Sequence, residues 1–178
     1  MDILPTLRTG ALIVVCAPQA AREPVALLSA ELALRGPLTI LDGGNRFQPY
    51  RVAQLLRQQT AQVDSAAKRL FIRRAFTCYQ MLALLEDTPA LKQPYIILDL
   101  LATFYDEHVN EREARRLLDK CLFEVERLVQ FAPLVITLAP ALVAERAFLV
   151  EMVCARAERV LMQETPLARP YQPVLFAT

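Results

Sequence analysis

The sequence has no cluster of residues that reads as a metal centre. Its one histidine, His108, has no histidine or cysteine neighbour, and its four cysteines, Cys16, Cys78, Cys121 and Cys154, are widely spaced with no C-x-x-C pair. A zinc site draws its ligands from short spacings, so none is expected. The cysteines sit inside apolar stretches and read as buried, reduced thiols, which suits the cytoplasm. An excess of one charge is also lacking: 20 basic and 19 acidic residues leave a net charge of +1. That balance gives no global attraction to nucleic acid or to an anionic membrane and leaves only local patches to consider. Met1-Asp2-Ile3-Leu4-Pro5 has neither the basic region nor the long apolar run of a signal peptide. The most membrane-like stretch, Leu128 to Ala144, is interrupted by Gln130, Pro133 and Pro140. It falls short of the roughly 20 apolar residues that a spanning helix needs. A buried strand between two helices accounts for it better. No internal repeat, low-complexity segment or domain linker is visible.

What is abundant is apolar side chain. The hydrophobic fraction is 54% and the mean hydropathy +0.28 over 178 residues. One domain of this length buries a sizeable core, and values this high point to a sheet covered on both faces. Short apolar runs alternate with longer amphipathic ones. Strands are expected at Leu12 to Cys16, Leu38 to Asp42, Arg69 to Arg73, Tyr95 to Leu100, Leu134 to Leu138 and Arg159 to Gln163. Helices are expected at Glu23 to Arg35, at Pro49 to Gln59, from a Thr77 cap to about Asp87, from an Asn110 cap onward, and at Glu145 to Ala155. The Asn110 helix is the clearest, with Leu117, Leu118, Cys121, Leu122, Val125, Leu128 and Val129 in one stripe. Strand and helix alternating about five times implies an α/β fold, a parallel sheet with helices on both faces in three layers. Residues 165–178 carry Pro166, Pro170 and Pro173 and read as an extended tail after a single domain of residues 1–164.

Several segments, taken in order, resemble the core of RecA/RadA-like recombinases. Ile40 to Arg51 (ILDGGNRFQPYR) is similar to the family's strand, acidic turn and F-x-P-x-R helix start. Arg74 to Gln80 through Leu84-Leu85 resembles its R-A-F-x-x-x-Q-x-x-x-L-L element. Tyr95 to Tyr105 resembles the Walker B strand with the turn that follows, and Leu134 to Pro140 the next strand. The matches run from about Ala11 to Gln163. The resemblance implies a RecA-like sheet in the strand order 5-1-4-3-2. It also implies that Asp99 matches the Walker B aspartate, which makes it a vestigial cofactor-binding position.

The family's phosphate-binding loop, G-x-x-x-x-G-K-[ST], is not there. Backbone N–H groups of such a loop cradle phosphate, its lysine meets the terminal phosphates and its hydroxyl holds Mg²⁺. The equivalent connection is Ala17-Pro18-Gln19-Ala20-Ala21-Arg22-Glu23-Pro24, which contains no glycine. The lysine position falls on Glu23 and the hydroxyl position on Pro24, which supplies neither hydroxyl nor N–H. The family's catalytic glutamate falls on Gly44. No catalytic residue and no cofactor are expected, and Asp42 and Asp99 read more simply as residues that end strands or cap turns. The two loops that bind DNA in recombinases correspond to Asp106-Glu107-His108-Val109-Asn110, short and partly acidic, and to Pro140 to Ala144, which lacks basic residues. Neither has the lysine or arginine needed to follow a phosphate backbone. The helical domain and linker that precede the core in RadA-like proteins are not seen ahead of it.

The remaining candidates are cationic. Arg22, Arg46, Arg73 and Arg74 are expected near the carboxyl ends of the strands, where ligands of open α/β sheets gather. They could bind a protein partner or a small anion, or pair with Asp42, Asp99 and one another. Arg112, Arg115, Arg116 and Lys120 cluster on one helix, interleaved with Glu111, Glu113 and Asp119. That cluster reads as a solvated face, or as a patch for nucleic acid or an acidic partner. Tyr50, Phe76, Tyr79, Phe104 and Tyr105 are expected to complete the core. The leading expectation is a non-catalytic RecA-like pseudo-ATPase that binds a protein partner, a RecA-fold subunit or a second copy of itself, as an accessory to DNA recombination or repair. A DNA-binding module using the basic helix, and a remnant nucleotide-binding subunit, are the alternatives. No membrane partner is expected.

Overall fold

The computed structural model describes residues 4–105, 109–140 and 144–163. The proline-containing tail expected at 165–178 lies outside these residues, as do 106–108 and 141–143 of the two short loops. Six strands, β1 (Leu12–Cys16), β2 (Leu38–Asp42), β3 (Leu70–Arg74), β4 (Tyr95–Leu98), β5 (Leu134–Leu138) and β6 (Arg159–Met162), form one sheet in the order β3-β2-β4-β5-β1-β6. Every pairing is parallel. The six helices are α1 (Arg22–Arg35), α2 (Pro49–Gln59), α3 (Val63–Ala67), α4 (Cys78–Glu86), α5 (Glu111–Val129) and α6 (Ala147–Cys154). With β3 set aside, the other five strands numbered in chain order read 5-1-4-3-2 from the β6 edge. β3 is an additional strand outside β2.

The alternation of side chains along each strand builds two cores. Leu12, Val14, Cys16, Leu41, Tyr95, Ile97, Leu134, Ile136 and Leu138 face α4, α5 and α6. Ile13, Val15, Leu38, Ile40, Ile96, Leu98 and Val135 face α1, α2 and α3. This is why β1, β2, β4 and β5 are buried at every position and mostly apolar: both of their faces are covered. Thr77 caps α4 by accepting from the Gln80 N–H at 3.2 Å, and Asn110 caps α5 by accepting from the Glu113 N–H at 2.9 Å. Element boundaries follow the expected ones closely, with small corrections: α1 starts one residue earlier, at Arg22, and β6 ends one residue earlier, at Met162. β3 runs one residue later than expected, β4 ends at Leu98, and α6 starts at Ala147 after a single 3-10 turn over Ala144–Arg146. The short helix α3 was not foreseen. It has only five residues and buries one of them, Ala66, too little to leave a periodic signal.

The aromatic residues divide. Phe104 is fully buried and Tyr105 partly so, as expected. Tyr50, Phe76 and Tyr79 are instead 87%, 70% and 53% exposed. They sit at or just before the first turns of α2 and α4; Tyr50 and Phe76 are left open among the described residues, while the Tyr79 hydroxyl hydrogen-bonds with Glu113 of α5. No described helix is long and apolar enough to cross a membrane.

Candidate functional site

The carboxyl ends of the central strands bring Asp42 and Asp99 together. Asp42 lies opposite Leu98 in the β2–β4 register, so Asp99 follows one position beyond. Both carboxylates are buried, and both are fully engaged by the protein. Asp42 Oδ1 accepts from the Arg46 backbone N–H at 2.8 Å. Its Oδ2 accepts from the Phe47 N–H at 3.1 Å and from Arg74 Nε at 3.4 Å. These contacts close the turn that leaves β2. Asp99 has left-handed backbone, φ 48°, and its N–H donates to Thr137 Oγ1 at 3.0 Å. Its Oδ1 accepts from the Ala139 N–H at 3.2 Å and its Oδ2 from Arg46 Nε at 3.0 Å. A buried carboxylate is tolerated when hydrogen bonds and an opposite charge replace its hydration, and each of these two has both.

Gly43 and Gly44 make this arrangement feasible. A Cβ on Gly44 would lie 2.8 Å from both Asp99 Cβ and Asp99 Oδ2, and one on Gly43 would lie 3.0 Å from the Asp99 carbonyl oxygen. The turn after β2 therefore presses its backbone against the end of β4. The position that resembles the family's catalytic glutamate has no room for a side chain.

The connection from β1 to α1 is a left-handed turn built without glycine. Gln19, Ala20 and Ala21 have φ of 52°, 52° and 55°. Each such L-residue costs about 1–2 kcal/mol relative to right-handed backbone. The Ala17 N–H donates to the Leu138 carbonyl, and the Ala20 N–H to the Ala17 carbonyl, both at 3.0 Å, while Ala20 and Ala21 are buried. These contacts hold the turn down on the sheet. Glu23, at the position matching the family's lysine, reaches sideways and accepts from Arg51 Nε of α2 at 3.0 Å. Arg22 donates to the Gln48 carboxamide oxygen at 2.7 Å. The hollow above this turn, about 290 Å³, is lined by Pro18, Gln19, Arg22, Glu23, Gln48 and Gln163 among others. Its one cation and one carboxylate are thus both partnered.

Two further groups lie near Asp99. The Cys16 thiol is pushed up to about 12, first by burial and then by Cys154 beside it. The Tyr105 hydroxyl is pushed up to about 12 by burial, reinforced by Asp99 and Cys16. Its oxygen is buried with no hydrogen-bond partner among the described residues.

Of the expected cationic residues, Arg22, Arg46 and Arg74 do meet on this edge. Arg73 turns away to Asp87, 3.7 Å off, just past α4. The α5 cluster is separate from the site and largely neutralised within its own helix. Arg116 makes two bonds to Glu113, at 2.8 and 2.6 Å. Arg115 lies 3.4 Å from Glu111 and 4.4 Å above the Phe148 ring. Arg112 is exposed and forms no ion pair with a described residue. Among the described residues no group of three or more histidine, cysteine or acidic side chains could hold a metal ion.

Three features of this edge went unread in the sequence: the left-handed turn, the glycine contacts with Asp99 and the approach of Cys16 to Cys154. The Gly43-Gly44 dipeptide was the one local signal among them. The chain matches no protein-family model, and no curated protein matches it in sequence.

Proposed function

We propose that this chain is a non-catalytic RecA-like protein, a pseudo-ATPase, that works by binding another protein. One observation carries the reading. Every carboxylate oxygen of Asp42 and Asp99 already accepts a hydrogen bond, and Arg46 supplies the positive charge that Asp99 faces. A Mg²⁺ ion with its nucleotide needs carboxylate oxygens open to it or to its waters. The order of the five strands other than β3 and the order of the sequence motifs support the RecA-like part of the reading.

The partner-binding part rests on the β3 edge. Among the described residues the strand has no neighbour on its outer side, and Phe71 and Ile72, on its two opposite faces, are 54% and 39% exposed. Phe76, 70% exposed, adds an apolar side chain two residues beyond its end. A cleft of about 150 Å³ between α2 and β3 is lined by Phe47, Pro49, Val52, Leu56, Leu70 and Ile72 with two alanines. An apolar surface along an unpaired strand is the kind that proteins use to bind one another. A RecA-fold subunit or a second copy of the chain suits it. A role as an accessory in DNA recombination or repair extends from the resemblance of the motifs. The DNA-binding alternative has less support, because Arg115 and Arg116 are occupied by acids of their own helix.

Calorimetric titration with ATP and ADP, with and without Mg²⁺, tests the reading. No binding up to millimolar nucleotide is expected. Micromolar, Mg²⁺-dependent binding that Asp99→Ala abolishes would overturn it in favour of a remnant nucleotide-binding subunit.

A further inference from the structure

Cys16 and Cys154 are 138 positions apart in the sequence, yet their sulfur atoms lie 3.9 Å from each other. Cys16 is the last residue of β1 and is buried, whereas Cys154 is the last residue of α6 and is half-buried. The other two cysteines, Cys78 and Cys121, are both fully buried in the same core layer. A disulfide has a sulfur–sulfur distance of about 2.05 Å. The approach required is short, and Cys154 is placed to make it, at a helix end followed directly by a turn (Arg156 N–H to the Val153 carbonyl, Ala157 N–H to the Cys154 carbonyl).

We infer that Cys16 and Cys154 form a reversible disulfide that staples α6 to β1 under oxidising conditions. The oxidant is a small-molecule disulfide such as glutathione disulfide. The Cys154 thiolate, nearer to solvent, attacks one sulfur of the oxidant. A mixed disulfide forms and one glutathione thiolate leaves. Cys16 then gives its proton to solvent and attacks Cys154 Sγ, expelling the second glutathione. Two protein thiols become one disulfide, and the two electrons leave as two glutathione thiols. Burial disfavours the Cys16 thiolate, so the second step is slow and the pair answers sustained oxidation rather than a brief pulse. Cys16 directly precedes Ala17 and the left-handed turn, so the staple fixes the strand end from which that turn departs.

The experiment incubates the folded protein with glutathione disulfide, blocks free thiols and maps peptides without reduction. The expected product is a Cys16–Cys154 linked peptide, with Cys78 and Cys121 remaining as thiols. Closing so long a loop should raise the melting temperature by about 5–10 °C, a change that dithiothreitol reverses. Cys154→Ser, a near-isosteric change at the half-buried position, should abolish both the linked peptide and the shift. The inference fails if Cys154 stops at the mixed disulfide at equilibrium. It fails equally if the link appears only in urea, or if another pairing accounts for the shift.

Discussion

Arg46 Nε lies 3.0 Å from Asp99 Oδ2, a carboxylate that is itself almost wholly buried. The guanidinium stands as the countercharge of the strand-end aspartate, and the two should behave as a unit. Arg46→Ala leaves a buried charge short of its partner and should cost about 2–4 kcal/mol in urea unfolding. Asn at position 99 tolerates left-handed backbone and still accepts from the Ala139 N–H, so Asp99→Asn should cost less. Adding Arg46→Ala to Asp99→Asn should then cost under about 1 kcal/mol more. Strictly additive losses in that double-mutant cycle would show that the ion pair is incidental.

Restoring a side chain at Gly44 should harm the fold. The Cβ would meet Asp99 at 2.8 Å, so Gly44→Ala should destabilise by about 1–3 kcal/mol and Gly44→Glu by more. Urea midpoints measure both. An unchanged midpoint for Gly44→Glu would mean that the turn is not held against β4.

The left-handed turn gives a prediction of the opposite sign. Gln19 is exposed and has φ 52°, so Gln19→Gly relieves strain without removing buried surface. The gain, after the added freedom of the unfolded chain, should be about 0.5–1 kcal/mol. Ala20→Gly should come out near neutral, because the methyl it deletes is buried. Loss of stability in Gln19→Gly would argue against the left-handed geometry.

Stability should also fall in alkali. Cys16 and Cys121 are each pushed up to about 12 from 9.0 by burial, and Tyr105 to about 12 from 10.0. The unfolded chain releases these protons at the ordinary values while the folded chain keeps them. Their contribution is therefore complete below pH 9 and is lost progressively as pH rises toward 12. The urea midpoint should drop between pH 9 and 11. Tyr105→Phe should lessen the drop above pH 10 and should not weaken the protein at pH 7, since the hydroxyl it removes has no partner among the described residues. A midpoint that stays level to pH 11 contradicts this.

The β3 surface offers a separate test of partner binding. Phe76→Ser, at a side chain 70% exposed, should change stability by less than about 1 kcal/mol, and Ile72→Ser, at one only 39% exposed, should cost about 1–2 kcal/mol. The same changes should abolish self-association in sedimentation runs, or binding of an added RecA-fold subunit. Retention of either association would move the partner surface elsewhere.

The sequence by itself determined the strands, most helices and the two capped helix starts. A period of two, a period of 3.6 and a capping side chain are all relations between residues a few positions apart. It also determined that the β1–α1 connection has neither the glycines nor the lysine that a phosphate loop requires. Only the tertiary structure decided which of those strands lay at an edge. That decision left Phe71, Phe76 and Tyr79 exposed where apolar character alone placed Phe76 and Tyr79 in the core. Only it decided that Arg46 turns to Asp99, 53 positions away, that Gly44 abuts the same aspartate and that Cys154 reaches Cys16. The physical reason is the same throughout. These contacts are made where a crossover connection returns one strand end beside another, and no local spacing records which ends will meet.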